Sequence, residues 1–65
     1  MSKQTLIRLK NVLSKTGLSR SHTYALIGQG RFPKPVKLSE KSVAWVESEI
    51  DYWIEQRIAE RAEVA

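Results

Sequence analysis

At Thr16-Gly17-Leu18-Ser19 one helix must stop and another must start within four residues, and no other stretch limits the possible folds so tightly. Before it, Leu9, Val12 and Leu13 recur at the i, i+3, i+4 spacing of one helical face, which predicts a first helix over roughly Lys10–Lys15. Gly17 ends it, because glycine enters the left-handed conformation that terminates a helix without a Cβ penalty. Ser19 restarts the chain as an N-cap whose hydroxyl accepts a hydrogen bond from a free backbone N–H of the next turn. Leu18, just before the cap, is placed to pack on Thr23 as a hydrophobic staple. Thr23, Leu26 and Ile27 form the second apolar face, and Gly28 and Gly30 are expected to end that helix. Two short helices joined by a glycine-containing turn of three or four residues make a helix-turn-helix. Ahead of them, Leu6-Ile7-Arg8-Leu9 reads as a brief strand or the lead-in to the first helix.

Beyond Gly30, Pro33 and Pro35 forbid helix across Arg31-Phe32-Pro33-Lys34-Pro35 and favour an extended path. Val36-Lys37-Leu38 and Val43-Ala44-Trp45 flank the polar Ser39-Glu40-Lys41-Ser42, which predicts a small β-hairpin. No Asn-Gly marks the turn, so its register stays open. Val46, Ile50, Trp53, Ile54, Arg57 and Ile58 then recur at three- and four-residue steps and predict a third, amphipathic helix. Ser48 and Asp51 resemble a capping box with Asp in place of Glu. Glu47, Glu49 and Asp51 suit the positive end of the helix dipole, and Arg57 and Arg61 suit the other end. The tail from Ala62 is expected to fray. A chain of 65 residues fits one domain, residues 1–65 with the ordered part at about residues 6–60. The class is α+β, mainly α: three helices with a short β-hairpin.

Several functions are excluded by composition. There is no cysteine, so neither disulfides nor thiolate zinc sites are available. The lone His22 has no acidic neighbours with which to build a metal site. No apolar run is long enough to span a membrane, and Met1–Arg8 lacks the apolar stretch of a signal peptide, so a cytoplasmic location is expected. Gly28-Gln29-Gly30 is too short, and follows a helix rather than a strand, to be a phosphate loop. The acidic residues cluster on one helix, where complementing the dipole explains them better than paired catalytic carboxylates. No catalytic, cofactor or metal site is expected.

Charge is divided between the two parts of the chain. Residues 1–41 carry nine cations against Glu40 alone, whereas residues 42–65 carry Arg57 and Arg61 against six carboxylates. Such asymmetry points to a polyanionic partner for the first part, the alternative being an ordinary solvated surface. With Thr23, Leu26 and Ile27 facing inward, a step of about 100° per residue turns Ser21, Tyr24, Ala25 and Gly28 outward, flanked by Arg20 and His22. Ser19, Arg20 and Ser21 lie at the helix N-terminus, the end that recognition helices direct at base edges. Arginine pairs bidentately with guanine and serine with several bases, and the Tyr24 hydroxyl can donate to a phosphate. Small side chains at Ala25 and Gly28 allow close approach. Arg31, Lys34, Lys37 and Lys41 on the hairpin would lie along the backbone or enter a minor groove. Each has a plainer reading: Arg20 and His22 as solvated residues, Tyr24 packed on the hairpin. Phe32, Trp45 and Trp53 have the flat faces of base-stacking platforms, but so short a chain needs them in its core.

These residues resemble the AlpA family of prophage regulators. The likeness runs over about residues 6–58 and is carried above all by Gly17-Leu18-Ser19-Arg20-Ser21 and by Gly30-Arg31-Phe32-Pro33-Lys34-Pro35-Val36. It implies a winged helix-turn-helix related to the excisionase and MerR-type folds, acting on double-stranded DNA in the bacterial cytoplasm and nucleoid. It implies a transcriptional regulator of a mobile element, or an excisionase-like architectural factor, contacting DNA through Ser19–Tyr24 and the hairpin around Lys34–Lys41. A second copy of the chain or an integrase is a further expected partner. Thr23 stands where a larger aliphatic is common, implying a weaker staple, and Ala25 where a basic residue is common, implying one contact fewer. A separate reading is a protein-interaction adaptor using the acidic third helix.

Overall fold

The computed structural model describes residues 3–64. Its elements run β1 (Leu6–Ile7), α1 (Leu9–Thr16), α2 (Arg20–Gly28), β2 (Val36–Ser39), β3 (Ser42–Val46) and α3 (Glu47–Val64). The hairpin β2–β3 is the expected wing, and β1 joins it to make a three-stranded antiparallel sheet in the order β1-β3-β2. The Leu6-Ile7 segment is thus a strand, with Leu6 opposite Val46 and Ile7 opposite Trp45. The architecture is α+β and mainly helical, a small winged helix-turn-helix.

The turn between α1 and α2 is held by short-range chemistry. Gly17 adopts φ 76° and donates its N–H to the Leu13 carbonyl, the left-handed cap that the glycine was expected to supply. The Thr16 hydroxyl donates to the Val12 carbonyl at 2.8 Å and accepts from the Leu18 N–H at 3.3 Å, so it bridges the last turn of α1 to the junction. Ser19 caps α2 by accepting from the His22 N–H at 3.1 Å. Thr23 is fully buried, and its hydroxyl donates to the Ser19 carbonyl at 2.9 Å. A threonine can therefore replace an aliphatic here without leaving a polar group unpaired. Gly30 alone ends α2: it sits at φ 73°, donates to the Ile27 carbonyl, and passes the chain to Arg31, whose N–H reaches the Leu26 carbonyl. That pair of bonds is the Schellman arrangement. Gly28, expected to share the role, lies within the helix.

Ile7, Val12, Phe32, Trp45 and Ile50 form the buried core, with Leu9, Leu18, Leu26, Ile27, Trp53 and Ile54 packed against it. Every element except β2 contributes. Three expectations for α3 are corrected. No capping box forms, because β3 runs to Val46 and passes directly into the helix. The Glu47 N–H donates to the Thr5 carbonyl at 2.7 Å, the Ser48 hydroxyl donates to Gln4, and Asp51 pairs with Lys15. The apolar stripe stops contributing to the core after Ile54: Ile58 is 48% exposed, since α3 outruns the small core beneath it. Finally, the helix continues to Val64 where fraying was expected from Ala62.

Lys15 ties α1 to α3. Its ammonium lies 2.6 Å from Asp51 and 3.0 Å from Glu47, and the hydrogen bonds it donates to Asp51 and then to Glu47 raise its pKa above the ordinary lysine value. One cation of the basic part is thereby spent on holding the fold.

The two glycines at helix ends should respond oppositely to the same substitution. A Cβ would meet nothing within 4 Å at either Gly17 or Gly28, so only backbone conformation differs. Gly17→Ala should destabilise by about 1 kcal/mol and Gly28→Ala should stabilise by about 0.5–1 kcal/mol. Urea denaturation followed by circular dichroism should show midpoints displaced in opposite directions; equal displacements would contradict the assignment.

Candidate nucleic-acid interface

The segment after α2 is the hinge of the site, and two indoles fix it. Trp45 Nε1 donates to the Pro33 carbonyl at 3.1 Å, and Trp53 Nε1 donates to the Arg31 carbonyl at 2.9 Å. Between those two anchors Phe32 is buried, its ring edge-on to Trp53 with centroids 4.9 Å apart. Prolines at 33 and 35 hold the chain extended, which leaves its carbonyls without helical partners and open to the indoles, whose N–H can only donate. Both tryptophans were expected in the core from their hydrophobicity. That each would use its N–H to clamp the loop follows from the same amphipathic chemistry, but sequence spacing gave no sign of which carbonyl it would meet.

The clamp sets the direction in which the chain leaves α2 and enters the wing. Arg31 and Lys34 are exposed at its two ends. Together with Phe32, Pro33 and, from α3, Tyr52 and Trp53 they line an open groove. Lys37 lies in β2 opposite Val43, and Lys41 in the turn; both are exposed.

On α2, Ser19, Arg20, Ser21 and His22 are all exposed. The Ser19 hydroxyl is occupied as an acceptor by its cap bond but keeps its own proton to donate. Arg20 lies with its guanidinium 5.9 Å from the centre of the Tyr24 ring, a cation–π contact that narrows its range of orientations. Tyr24 is 40% exposed and packs edge-on against Trp45, centroids 6.3 Å apart. It therefore packs on the hairpin, as the plainer reading had it: its ring braces α2 against β3 while part of the side chain stays open to solvent. Arg20, Tyr24 and Trp45 form a continuous chain of contacts from the start of α2 to the base of the wing. Ala25 and Gly28 are exposed along the same helix.

Among the described residues, Lys15 and Arg57 are the cations engaged in ion pairs. Arg20, Arg31, Lys34, Lys37 and Lys41 form none there, so their charges remain available to an outside anion. Arg57 instead covers the other side of the Trp53 ring at 5.2 Å and pairs with Glu60. No group of three or more His, Asp or Glu side chains able to hold a metal comes together among the described residues. No helix among them is long and apolar enough to cross a membrane.

A protein-family profile described as Prophage CP4-57 regulatory protein (AlpA) matches residues 5–58. The chain is 43% identical over 61 residues to the uncharacterized protein ORF88 of Enterobacteria phage P4, an alignment covering 94% of this chain and 69% of the phage protein. It is 40% identical over 58 residues to the DNA-binding transcriptional activator AlpA of Escherichia coli K12, covering 80% of this chain and 83% of that protein.

The clamp can be tested without a ligand. Trp45→Phe removes a buried indole and its bond to the Pro33 carbonyl, and should cost about 2 kcal/mol. Denaturant titration gives that cost, and hydrogen exchange should show faster exchange in β2 and β3 than in α1. A loss spread evenly over the molecule would mean that Trp45 stabilises the core without fixing the wing.

Proposed function

The chain belongs to the AlpA family of prophage regulatory proteins, and on that basis we propose that it is a DNA-binding transcriptional regulator of a prophage or other mobile element. The observation that carries this reading is the exposed N-terminus of α2, with Arg20, Ser21 and His22, braced through Tyr24 and Trp45 to a wing whose cations are unpaired among the described residues. The Escherichia coli relative is a DNA-binding transcriptional activator, which supports the same assignment.

In this reading α2 enters the major groove with Arg20 and Ser21 leading, as recognition helices do. Arg20 reads guanine and Ser21 an adjacent base edge, while Tyr24 and Ser19 contact phosphates. Exposed Ala25 and Gly28 let the helix backbone come close. The wing carries Lys37 and Lys41, with Arg31 and Lys34 at its base, along the neighbouring backbone or minor groove. The chain works by binding, with no catalytic step, in the bacterial cytoplasm at the nucleoid. The same surface serves a promoter, where it controls transcription, or an attachment site, where it acts as an excisionase-like architectural factor. A neighbouring copy or an integrase is the partner such sites would bring alongside.

A second reading is favoured by α3, where Tyr52 is 66% and Ile58 48% exposed on an acidic helix. There the chain would be an adaptor that binds another protein. A duplex titration at low salt separates the two: an adaptor binds no duplex.

If about five phosphates are neutralised, Arg31, Lys34, Lys37 and Lys41 among their partners, log affinity should fall with log salt at a slope of about −4.5. Lys37→Ala should flatten that slope by about one unit, and an unchanged slope would take Lys37 off the phosphate list.

Arg20→Ala should weaken binding to the preferred duplex by about 1–3 kcal/mol and binding to random duplexes much less. Equal losses on both, measured by fluorescence anisotropy, would rule out base reading by Arg20.

A further inference from the structure

The wing contains an irregularity that its cationic residues do not explain. Val36 pairs with Ala44 and Lys37 with Val43, but Ser39 pairs with Ser42, so the register slips between Lys37 and Ser39. Leu38 is the extra residue. It is 47% exposed, in a strand whose four residues are all exposed. The slip has a local cause. The two-residue turn Glu40-Lys41 contains no glycine, and neither of its residues adopts positive φ. The turn therefore cannot take the primed geometries that match strand twist, and the mismatch is absorbed one residue earlier as a bulge. A bulge removes its residue from the alternation of the strand and re-aims the side chain.

A bulge on an edge strand also discourages pairing with another chain. That role does not call for leucine; a charged residue would do it better, and an exposed apolar residue on an edge is itself a hazard. Leu38 directly follows Lys37 and precedes the turn that carries Lys41, both lysines exposed and unpaired among the described residues. An exposed apolar side chain with a cation on either side along the chain suits a minor groove, where the lysines meet phosphates and the apolar group meets the base stack.

We propose that Leu38 is a wedge that enters a base step from the minor groove and bends the duplex, so that the chain shapes its site as well as recognising it. The proposal rests on the reading of the chain as a duplex-binding protein. Apolar wedges of this kind partly unstack a step and kink DNA by about 20–90° toward the major groove, which here would fold the duplex around the wing and α2. Because the cost of unstacking is set against the added contacts, removing the wedge should abolish the bend while changing affinity only modestly.

The test uses a duplex enriched by the unmodified chain from a random-sequence pool, labelled at both ends for energy transfer and carrying 2-aminopurine at successive steps. The unmodified chain should raise energy transfer and brighten the fluorophore at one step. Leu38→Ala should lose both signals while its affinity falls by less than about tenfold, with an unchanged circular dichroism spectrum. Leu38→Met, which keeps an apolar side chain of similar length, should retain both. Bending by Leu38→Ala equal to that of the unmodified chain, or binding by the unmodified chain with no bend, would overturn the wedge and leave the DNA-binding reading intact. Enrichment of no duplex at low salt would remove the DNA-binding reading, and the wedge with it.

Discussion

Two indole N–H groups hold the path of the chain between α2 and the wing, and the rest of the molecule is organised around that clamp. Trp53 comes from the third helix and Trp45 from the central strand, yet both reach the short stretch from Arg31 to Pro33. Phe32 is buried between the two bonds. A loop of this kind would ordinarily be the softest part of so small a protein. Here it is pinned at both ends by donors from elements far apart in sequence, and it carries the core's phenylalanine. The second helix and the wing are thus set relative to each other by the same residues that make the fold cohere.

That economy suits a chain with no cysteine and a core of five clustered buried apolar residues. Domains of this size bury a smaller share of their surface than larger ones do, so rigidity has to come from side chains that serve two purposes. Tyr24 is such a residue, bracing α2 on Trp45 while reaching solvent beside Arg20. Thr16 and Thr23 are others: each hydroxyl satisfies a backbone carbonyl one helical turn earlier, so polar side chains are accommodated at the helix-turn-helix junction without orphaned donors.

Much of the fold was legible in the sequence, because the features that define it are local. Gly17, Ser19 and the 3.6-residue stripes of α1 and α2 are decided by neighbours a few residues away, and they read correctly. The prolines and the alternating residues around Ser39–Ser42 marked the wing. What could not be read depends on distant partners. Nothing local shows that Leu6-Ile7 would pair with the end of β3. Nor does it show that this pairing would carry β3 straight into α3 and leave Ser48 without a capping role. Asp51 looked like a cap residue because its real partner, Lys15, lies 36 positions earlier in the chain. Ile58 looked buried because the periodicity of a helix continues past the end of whatever it packs against. At the candidate site, the identity of the exposed cations was legible from the chain alone. Their freedom from internal partners, and the bulge at Leu38, were not, since both are properties of the assembled surface.

The division of charge takes on a sharper meaning in the folded molecule. The carboxylates of α3 do more than complement a helix dipole: Asp51 and Glu47 draw Lys15 out of the basic set and join α1 to α3. Most of the negative charge then sits along α3, while Arg20, Arg31, Lys34, Lys37 and Lys41 stay unneutralised on α2, the loop and the wing. A molecule with opposite charges on different elements feels a torque as well as an attraction near a polyanion. The separation is by element and not wholly by face, since Glu49 of α3 lines the same groove as Arg31 and Lys34, so α3 also sets negative charge beside the basic loop.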